Sequence, residues 1–303
     1  MVGISAVLFS CNKQESVAPD LATSESPKME LSIKDVEIQD GVLKFASKDH
    51  VKKVTREIGI MSNMENWYAN FEFSSLLKRQ NAITQSEYDQ IGKTGEFGKL
   101  SDILTFRGKG DDIILDKIVD DPRFAAVLNS KGYVIIVDSA YHIGSTQVAS
   151  IKIDENKSNL LNFLNNINIE DVKFNKIINE SLTTARLQDY QRTDGKRRII
   201  AEFKKHNAGV YNSLVVRLRY LKKNWIGWSG TEAASLSFSA SGTYWKGMDN
   251  DIPFSGSASG TNVEEVTYFV DEAYLFMGWG GASGNASWSP AVNGVSSITF
   301  YPE

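Results

Sequence analysis

The chain has 303 residues, of which 42% are hydrophobic and 23% charged, a composition that excludes a disordered protein and indicates a folded one. The net charge of −4 and the pI near 5.6 give no overall positive charge to attract nucleic acid. One cysteine excludes an internal disulfide, and the length allows about two domains.

The chain begins with a short apolar segment that ends at this cysteine. Residues 2–9 are uncharged, too short to span a bilayer, and of the length found in secretory signals. Leu8-Phe9-Ser10-Cys11 resembles the lipobox of bacterial lipoproteins, in which the cysteine is acylated and becomes the mature N-terminus. The resemblance implies a signal peptide over 1–10, lipidation of Cys11 and attachment to a membrane through the lipid. Because Lys and Arg are absent before Cys11, we expect this signal to be incomplete; an incidental cysteine is the alternative.

The next segment is predicted to be a tether. Residues 12–28 are rich in Ser, Pro, Ala and charged residues and contain little that could be buried. Such a sequence does not offset its own ordering entropy. We therefore assign residues 11–30 to a flexible, lipidated tether and begin the folded protein at residue 31.

Residues 31–188 are predicted to form an α+β domain. Alternating or short apolar runs predict strands at 30–38 and 41–46, and Ser47 is placed to cap a helix. Further helices are predicted over 67–82, 86–92 and 112–132, the last with a break before Pro122. The run 133–143 predicts a strand pair or one bent strand, and 158–188 an Asn-rich amphipathic helix.

Residues 189–303 are predicted to form a second, all-β, sandwich-like domain, with the boundary near 186–194. Strand patterns occupy 197–203, 211–221 and 234–245, and more short strands follow between Gly, Ser and Asn residues. Similar Ser- and Gly-rich stretches recur at 239–243, 255–261 and 281–287. Their uneven spacing argues against a repeat fold, and we interpret them as small-residue turns between strands.

Charge is distributed unevenly within this second domain. Residues 192–223 hold ten basic residues against two acidic ones, whereas residues 224–303 hold one basic residue against eight acidic ones. Either the surface is bipolar or the two sets face each other on neighbouring strands, and we favour the second interpretation.

Motifs for catalysis and metal binding are absent from the sequence. The Gly-Lys-Thr at 92–94 lacks the glycine five positions earlier that a phosphate-binding loop requires. The segment from Asp249 departs from a calcium-binding loop at its sixth and twelfth positions. His50, His142 and His206 are far apart, and no Gly-x-Ser-x-Gly motif is present. We predict no catalytic residue, no metal and no cofactor, although paired glycosidase carboxylates have no fixed spacing that would exclude them.

Aromatic residues of the last third are the remaining candidates for a ligand site. Exposed aromatic rings can stack on sugar rings, whereas buried ones would belong to the core. The alternation along 235–245 places Trp245 on the serine side of its strand, so we expect it to be the most exposed unless Gly242 introduces a bulge. The candidate ligand-binding residues are Trp225, Trp228, Tyr244, Trp245, Trp279 and Trp288.

The first half of the chain resembles uncharacterised envelope lipoproteins of the Bacteroidetes type. The residues that carry the resemblance are Asp121-Pro122, Val127-Leu128-Asn129, Gly132 and Asp138 to Tyr141, after the lipobox and tether. The resemblance implies export to the outer membrane or cell envelope, and it does not distinguish the cell surface from the periplasmic face. It brings no functional residue. We expect a non-catalytic protein that binds a glycan or an envelope protein, with no nucleic-acid partner; a polysaccharide or peptide hydrolase and a structural or adhesin subunit are the alternatives.

Overall fold

The computed structural model describes residues 35–61, 64, 67, 73–154, 158–176, 190–273 and 277–302. The predicted signal at 1–10, Cys11 and the tether at 11–30 lie outside the described residues and stay predictions.

The described chain is largely β, as the sequence predicted, and contains five helices among the residues described. The strands are β1 (Glu37–Gln39), β2 (Val42–Phe45), β3 (Leu104–Arg107), β4 (Ile114–Lys117), β5 (Tyr133–Ile136), β6 (Ser139–Ile143), β7 (Gln147–Lys152), β8 (Lys173–Lys176), β9 (Tyr190–Thr193), β10 (Arg197–Asn207), β11 (Asn212–Lys223), β12 (Trp228–Gly230), β13 (Ser235–Lys246), β14 (Asp249–Gly260), β15 (Glu265–Ala273), β16 (Met277–Val292) and β17 (Val295–Phe300). The helices are α1 (Lys48–Gly59), α2 (Leu76–Asn81), α3 (Gln85–Thr94), α4 (Pro122–Val127) and α5 (Ser158–Asn165).

Local sequence sets where the helices begin. Ser47 caps α1 by accepting a hydrogen bond from the backbone N–H of His50, as predicted. Helix α3 starts with a reciprocal capping box between Thr84 and Glu87 and ends at Gly95, whose φ of 75° favours glycine. Helix α1 packs against β2 of a six-stranded sheet in the order β1-β2-β5-β6-β7-β8, in which β2 and β5 are parallel, whereas α3 lies against β12.

A seven-stranded sheet contains strands from both sides of the predicted domain boundary. Its order is β3-β4-β12-β11-β10-β9, and β15 shares with β12 the second edge of β11. Strand β4 joins β12 through the parallel pair Ile114 and Trp228. The division into domains 31–188 and 189–303 stays a prediction, since part of 186–194 lies outside the described residues.

A four-stranded sheet, in the order β14-β13-β16-β17, packs face to face on the seven-stranded sheet. Phe203 and Val216 of the larger sheet share one buried cluster with Phe238, Trp288 and Phe300 of the smaller one. Because side chains alternate along a strand, the residues between these apolar positions point out of the sandwich. The outward face of the smaller sheet is therefore free of any covering layer among the described residues.

Two of the predicted helices are wrong in part. The predicted helix 112–132 is a strand, β4, followed by the short helix α4, because Ile114 and Leu115 are buried in the sheet beside β3. Asp121 caps α4 and Pro122 occupies its first turn, where a missing N–H costs nothing. The predicted helix 158–188 ends at Asn165 and is followed by β8, and its residues 177–188 lie outside the described chain.

The Ser- and Gly-rich stretches are also corrected. Each was interpreted as a turn, but 239–243, 255–261 and 281–287 fall within or at the end of β13, β14 and β16. Glycine is required at some of these positions because a large ring lies directly against the backbone. A Cβ on Gly256 would come 2.1 Å from the ring of Tyr268, and a Cβ on Gly284 would come 2.4 Å from the ring of Phe300.

Candidate functional site

The outward face of the four-stranded sheet is lined by small, neutral side chains that end in a hydroxyl or an amide. We call this surface the hydroxyl face and define it by Ser237, Ser239, Ser241, Ser255, Ser257, Ser259, Ser283, Asn285, Ser287, Ser297 and Thr299. All are exposed or half-buried, whereas the residues between them on β13 are buried. The strand alternation thus separates an apolar inner face from a polar outer face.

Strand register arranges these side chains in rows that run across the sheet. The first row joins Ser259, Ser237, Ser287 and Ser297, one from each strand. The second row joins Ser257, Ser239, Asn285 and Thr299, and a third, shorter row joins Ser255, Ser241 and Ser283. Residues opposite each other in an antiparallel sheet point to the same side, so each row presents its polar groups together.

Some side chains in these rows hydrogen-bond to one another, and others make no protein hydrogen bond within the described residues. The Ser237 and Ser287 hydroxyls lie 2.7 Å apart, and the Thr299 hydroxyl donates to Asn285 Oδ1 at 2.7 Å. Within the described part of the chain, the Ser239 and Ser257 hydroxyls make no protein hydrogen bond. Such hydroxyls are free both to donate and to accept.

The hydroxyl face includes a shallow concavity of about 550 Å³. It lies over the first two rows on β13, β16 and β17, with Phe238, Ala286 and Ile298 at its floor. No charged side chain lines this concavity among the described residues. A ligand there would meet hydrogen-bonding groups and backbone on a nearly flat, uncharged surface.

Aromatic residues stand near one end of the hydroxyl face. Trp245 continues the outward register of β13 and is half-buried, with its indole over Gly278 of the neighbouring strand. The pairing with β16 shifts register between Gly242 and Tyr244, but the extra residue lies on β16, so the alternation of β13 continues to Trp245. Tyr301, two residues beyond Thr299, is 60% exposed. The face thus combines hydroxyls with aromatic rings at its border.

Of the other predicted ligand residues, four lie inside the protein or at its packed layers. Trp228 is buried, donates its Nε1–H to the Asp111 carbonyl and lies under the Arg198 guanidinium. Trp288 and Tyr244 are buried in the sandwich core, and Trp279, half-buried, packs edge-on against Phe203. Burial raises the pKa of Tyr244 to about 12, aided by its hydrogen bond to Asp271. These rings serve packing.

The prediction that Trp245 is the most exposed of these aromatics is wrong, because Trp225 is 87% exposed and Trp245 is half-buried. Trp225 occupies the four-residue turn between β11 and β12, where Asn224 N–H donates to the Gly227 carbonyl at 2.7 Å and Ile226 N–H donates to Gly92 at 2.9 Å. The structure therefore does not bring the six predicted aromatics together: Trp225 and Trp245 lie on separate turns and strands. The serines, which the sequence analysis did not select, form the more continuous surface.

A second polar cluster lies on the opposite side of the seven-stranded sheet, and it consists of ionisable side chains that are buried or half-buried. We call it the ionic layer and define it by Asp116, Asp120, Glu202, Lys204, His206, Arg217, Arg219 and the half-buried Glu265. Arg219 contacts both oxygens of Asp116 at 3.3 Å, and its Nε contacts Glu265 at 3.3 Å. Arg217 is paired with Glu202 and lies 3.3 Å from Asp120.

The ionisation of this layer follows from its pairing. Burial by itself would raise the carboxyl pKa values, but the neighbouring cations outweigh it. His206, Lys204 and Arg107 hold the pKa of Asp120 well below its ordinary value, and Arg219 and Arg107 lower that of Asp116. The pKa of the buried Glu202 is likewise lowered, chiefly by Arg217. These carboxylates are charged at neutral pH and satisfied by their partners.

The ionic layer does not have the geometry of a nucleophilic site. His206 Nδ1 lies 2.6 Å from Asp120, which resembles the oriented base of a catalytic triad. However, the neighbouring Ser213 hydroxyl donates to Asp121 Oδ2 at 2.6 Å, away from His206, and Ser213 is fully buried. The cavity beside these groups measures about 20 Å³, enough for about one water molecule.

A further buried carboxyl, Glu272, connects β15 to the first helix. It accepts hydrogen bonds from Thr55 and Tyr211, both at 3.0 Å, and lies 3.3 Å from Arg56 Nε. Burial raises the pKa of Glu272 in spite of these partners and of Arg123. Its contacts are those of a group that joins elements in the interior.

No group of three or more His, Cys, Asp or Glu side chains in the described ranges is arranged to hold a metal ion. None of the helices in those ranges combines the length and apolar character needed to cross a membrane.

Comparison with known proteins gives one weak structural likeness. No protein family matches the chain, and no curated protein is similar to it. Among solved structures, it is similar to a DUF4848 family protein from Bacteroides thetaiotaomicron, at 14% identity and a TM-score of 0.29. The match covers 88% of this chain and 99% of that one.

Proposed function

We propose that this is a cell-envelope protein that binds a glycan without catalysis, through the hydroxyl face. The observation that carries the proposal is the set of rows on the four-stranded sheet, in which neutral hydroxyl and amide groups from four adjacent strands point outward together. Sugars present hydroxyls that both donate and accept, which serine, threonine and asparagine side chains match. Trp245 and Tyr301 at the border offer apolar rings to the faces of sugar rings.

The chemistry of the hydroxyl face favours a glycan over a protein partner. Stable protein interfaces have an apolar or aromatic centre, and serine is depleted there. The concavity on the first two rows offers hydroxyls, an amide and backbone, with apolar residues only at its floor. Water-mediated and direct hydrogen bonds to a polar ligand suit such a surface better than dry packing does.

We propose also that Cys11 carries a lipid that holds the protein at the outer membrane or another envelope membrane. The motif before Cys11 and the composition of the tether at 11–30 support this anchor. A single acyl chain binds a bilayer only marginally, whereas several chains hold it stably. The test is Cys11→Ala in the full-length protein: it should move the protein from the membrane fraction to the soluble fraction and abolish acyl labelling. Membrane retention with labelling intact would overturn the anchor.

Glycan binding is tested with the full-length protein and a panel of polysaccharides, by affinity electrophoresis and calorimetry. Ser239→Glu places a charged, bulky side chain in the second row and should abolish binding. Ser74→Glu makes the same substitution at an exposed position away from the hydroxyl face and should leave binding unchanged. Equal binding by both variants, or no binding by the unmodified protein, would refute the proposal. Release of new reducing ends during incubation would favour the hydrolase alternative.

A further inference from the structure

We infer that the ligand of the hydroxyl face is a neutral, linear polysaccharide that lies across the strands, along the rows. This inference rests on the proposed glycan-binding function and adds the chemical class and orientation of the ligand. Three observations carry it: the absence of charge, the spacing of the rows and the shape of the concavity.

The absence of charge excludes acidic polysaccharides as the preferred ligand. The three rows contain only serine, threonine and asparagine in the described part of the sheet. The nearest cation along β13, Lys246, is engaged with Asp271 at 2.6 Å. The hairpin that follows exposes Asp249 and Asp251, which would repel carboxylates or sulfates on a ligand. A neutral polysaccharide meets no such repulsion and needs no cation.

The spacing of the rows suits a linear chain. Neighbouring strands lie about 4.8 Å apart, so the four side chains of a row span roughly 14 Å. A pyranose unit is comparable in length to one strand spacing, so successive units can meet successive strands. Along a single strand, by contrast, outward side chains recur only every ~6.8 Å.

The shape of the surface points in the same direction. The concavity of about 550 Å³ takes in three side chains from each of the first two rows, one per strand. It therefore extends over roughly 9.6 Å across the strands and roughly 6.8 Å along them. Both side-chain hydrogen bonds on this face, Ser237 with Ser287 and Thr299 with Asn285, also run from strand to strand. Each of these hydrogen bonds fixes the direction of one hydroxyl group. The other hydroxyl and amide groups of the same row stay available to a ligand.

The orientation is tested with two matched double variants that share one substitution. Ser239→Ala with Thr299→Ala removes two hydroxyls from one row, whereas Ser239→Ala with Ser241→Ala removes two from one strand. A ligand that lies along the second row should bind the row variant at least about tenfold more weakly, and the strand variant only about fivefold more weakly. Thermal melts of both variants show that the fold is retained. Equal losses, or a larger loss in the strand variant, would overturn the orientation.

The chemical class is tested on the same protein with a soluble linear β-glucan, with polygalacturonate and with short oligosaccharides. We expect binding to the glucan that does not change between low and high salt, and no binding to polygalacturonate, because neutral contacts are not screened. Preference for polygalacturonate, or affinity that falls with salt, would overturn the neutral class and leave glycan binding standing. Failure to bind any of the three would overturn this inference, and the Ser239→Glu comparison on the wider panel then decides the proposed function separately.

Discussion

The ionic layer and the hydroxyl face both place polar side chains at every second position of long strands, yet they are physically opposite. In the ionic layer, Arg217 and Asp120 are charged, buried and surrounded by partners. On the hydroxyl face, Ser239 and Ser257 are neutral, exposed and without a protein partner within the described chain. A buried charge must be paired, because desolvation costs several kcal/mol per ion. An exposed hydroxyl has no such requirement and remains free to exchange water for a ligand.

This difference separates architecture from function. Every carboxylate of the ionic layer is used to hold β10, β11 and the β4–α4 segment together, and removing one partner leaves another charge uncompensated. The hydroxyl face contributes little to holding the sandwich together, since its side chains point away from the core. We therefore expect substitutions in the first region to change stability and those in the second to change binding.

The largest effect is expected at Arg217. Arg217→Met removes the cation shared by Glu202, Asp120 and Glu265, and it leaves the buried Glu202 without an ion-pair partner among the described residues. The free energy of unfolding should fall by about 3–5 kcal/mol, measured by urea denaturation. Arg197→Met, at an exposed position on the neighbouring strand β10, should change it by less than about 0.5 kcal/mol. A similar small change in both variants would show that the ionic layer is not structural.

The next effect is acid destabilisation. Asp116, Asp120 and Glu202 have lowered pKa values in the folded protein, so the unfolded chain binds more protons as the pH falls below about 4. Their stabilisation is complete above the unfolded pKa and is lost as the pH falls through the folded pKa. The free energy of unfolding should therefore fall progressively as the pH drops below about 4, measured by melts at a series of pH values between pH 6 and pH 2.

The acid prediction has its own control in Asp120→Asn. This variant removes one depressed carboxyl and should give a shallower dependence of stability on pH below about 4. Glu272 acts with the opposite sign: its pKa is raised, so it costs stability as the pH rises above its unfolded value. An unchanged acid slope in Asp120→Asn would contradict the assigned pairing.

A smaller loss of stability is expected at the buried serine Ser213. Ser213→Ala removes the hydroxyl that donates to Asp121 in the interior and should cost about 1–3 kcal/mol of unfolding free energy. Chemical denaturation measures it, with an intact circular dichroism spectrum as the check on folding. A cost below about 0.5 kcal/mol would show that Asp121 is satisfied without this hydroxyl.

The smallest stability effect is expected at Ser239. Ser239→Ala should change the unfolding free energy by less than about 0.5 kcal/mol, since its hydroxyl is exposed and unbonded within the described residues. If the hydroxyl face binds the ligand, the same variant should still weaken polysaccharide binding. Lost stability with unchanged binding at Ser239 would erase the distinction between the two regions.

Much of the fold was predictable because local signals and final contacts agree. The apolar runs at 197–203 and 211–221 predicted strands, and they lie in β10 and β11. The predicted pairing of basic with acidic residues on neighbouring strands is confirmed for Arg219 and Glu265. Strand β4 was missed because its apolar residues also fit a helical period; its pairing partner Trp228 is far away in sequence. The remaining counter-ions, Asp116 and Asp120, likewise come from a distant segment.

The candidate site was harder to predict than the fold. Locally, Ser and Gly clusters favour turns, and only their pairing with neighbouring strands that are themselves rich in serine places them in a sheet. The available signal was the strict alternation around Ser237, Ser257 and Ser287, present in three segments. The predicted ligand residues were aromatic instead, and four of those six aromatic residues lie in packed layers.

The parallel pairing of Ile114 with Trp228 also has a consequence for how the protein is made. At ribosomal rates of about 5–20 residues per second, the outer edge of β4 waits roughly 6 to 23 s for its neighbour to be synthesised. An unpaired strand edge is a template for wrong pairing during that interval. A nascent chain stalled before residue 228 should therefore depend on a chaperone to stay soluble, whereas one stalled after the sheet is complete should not.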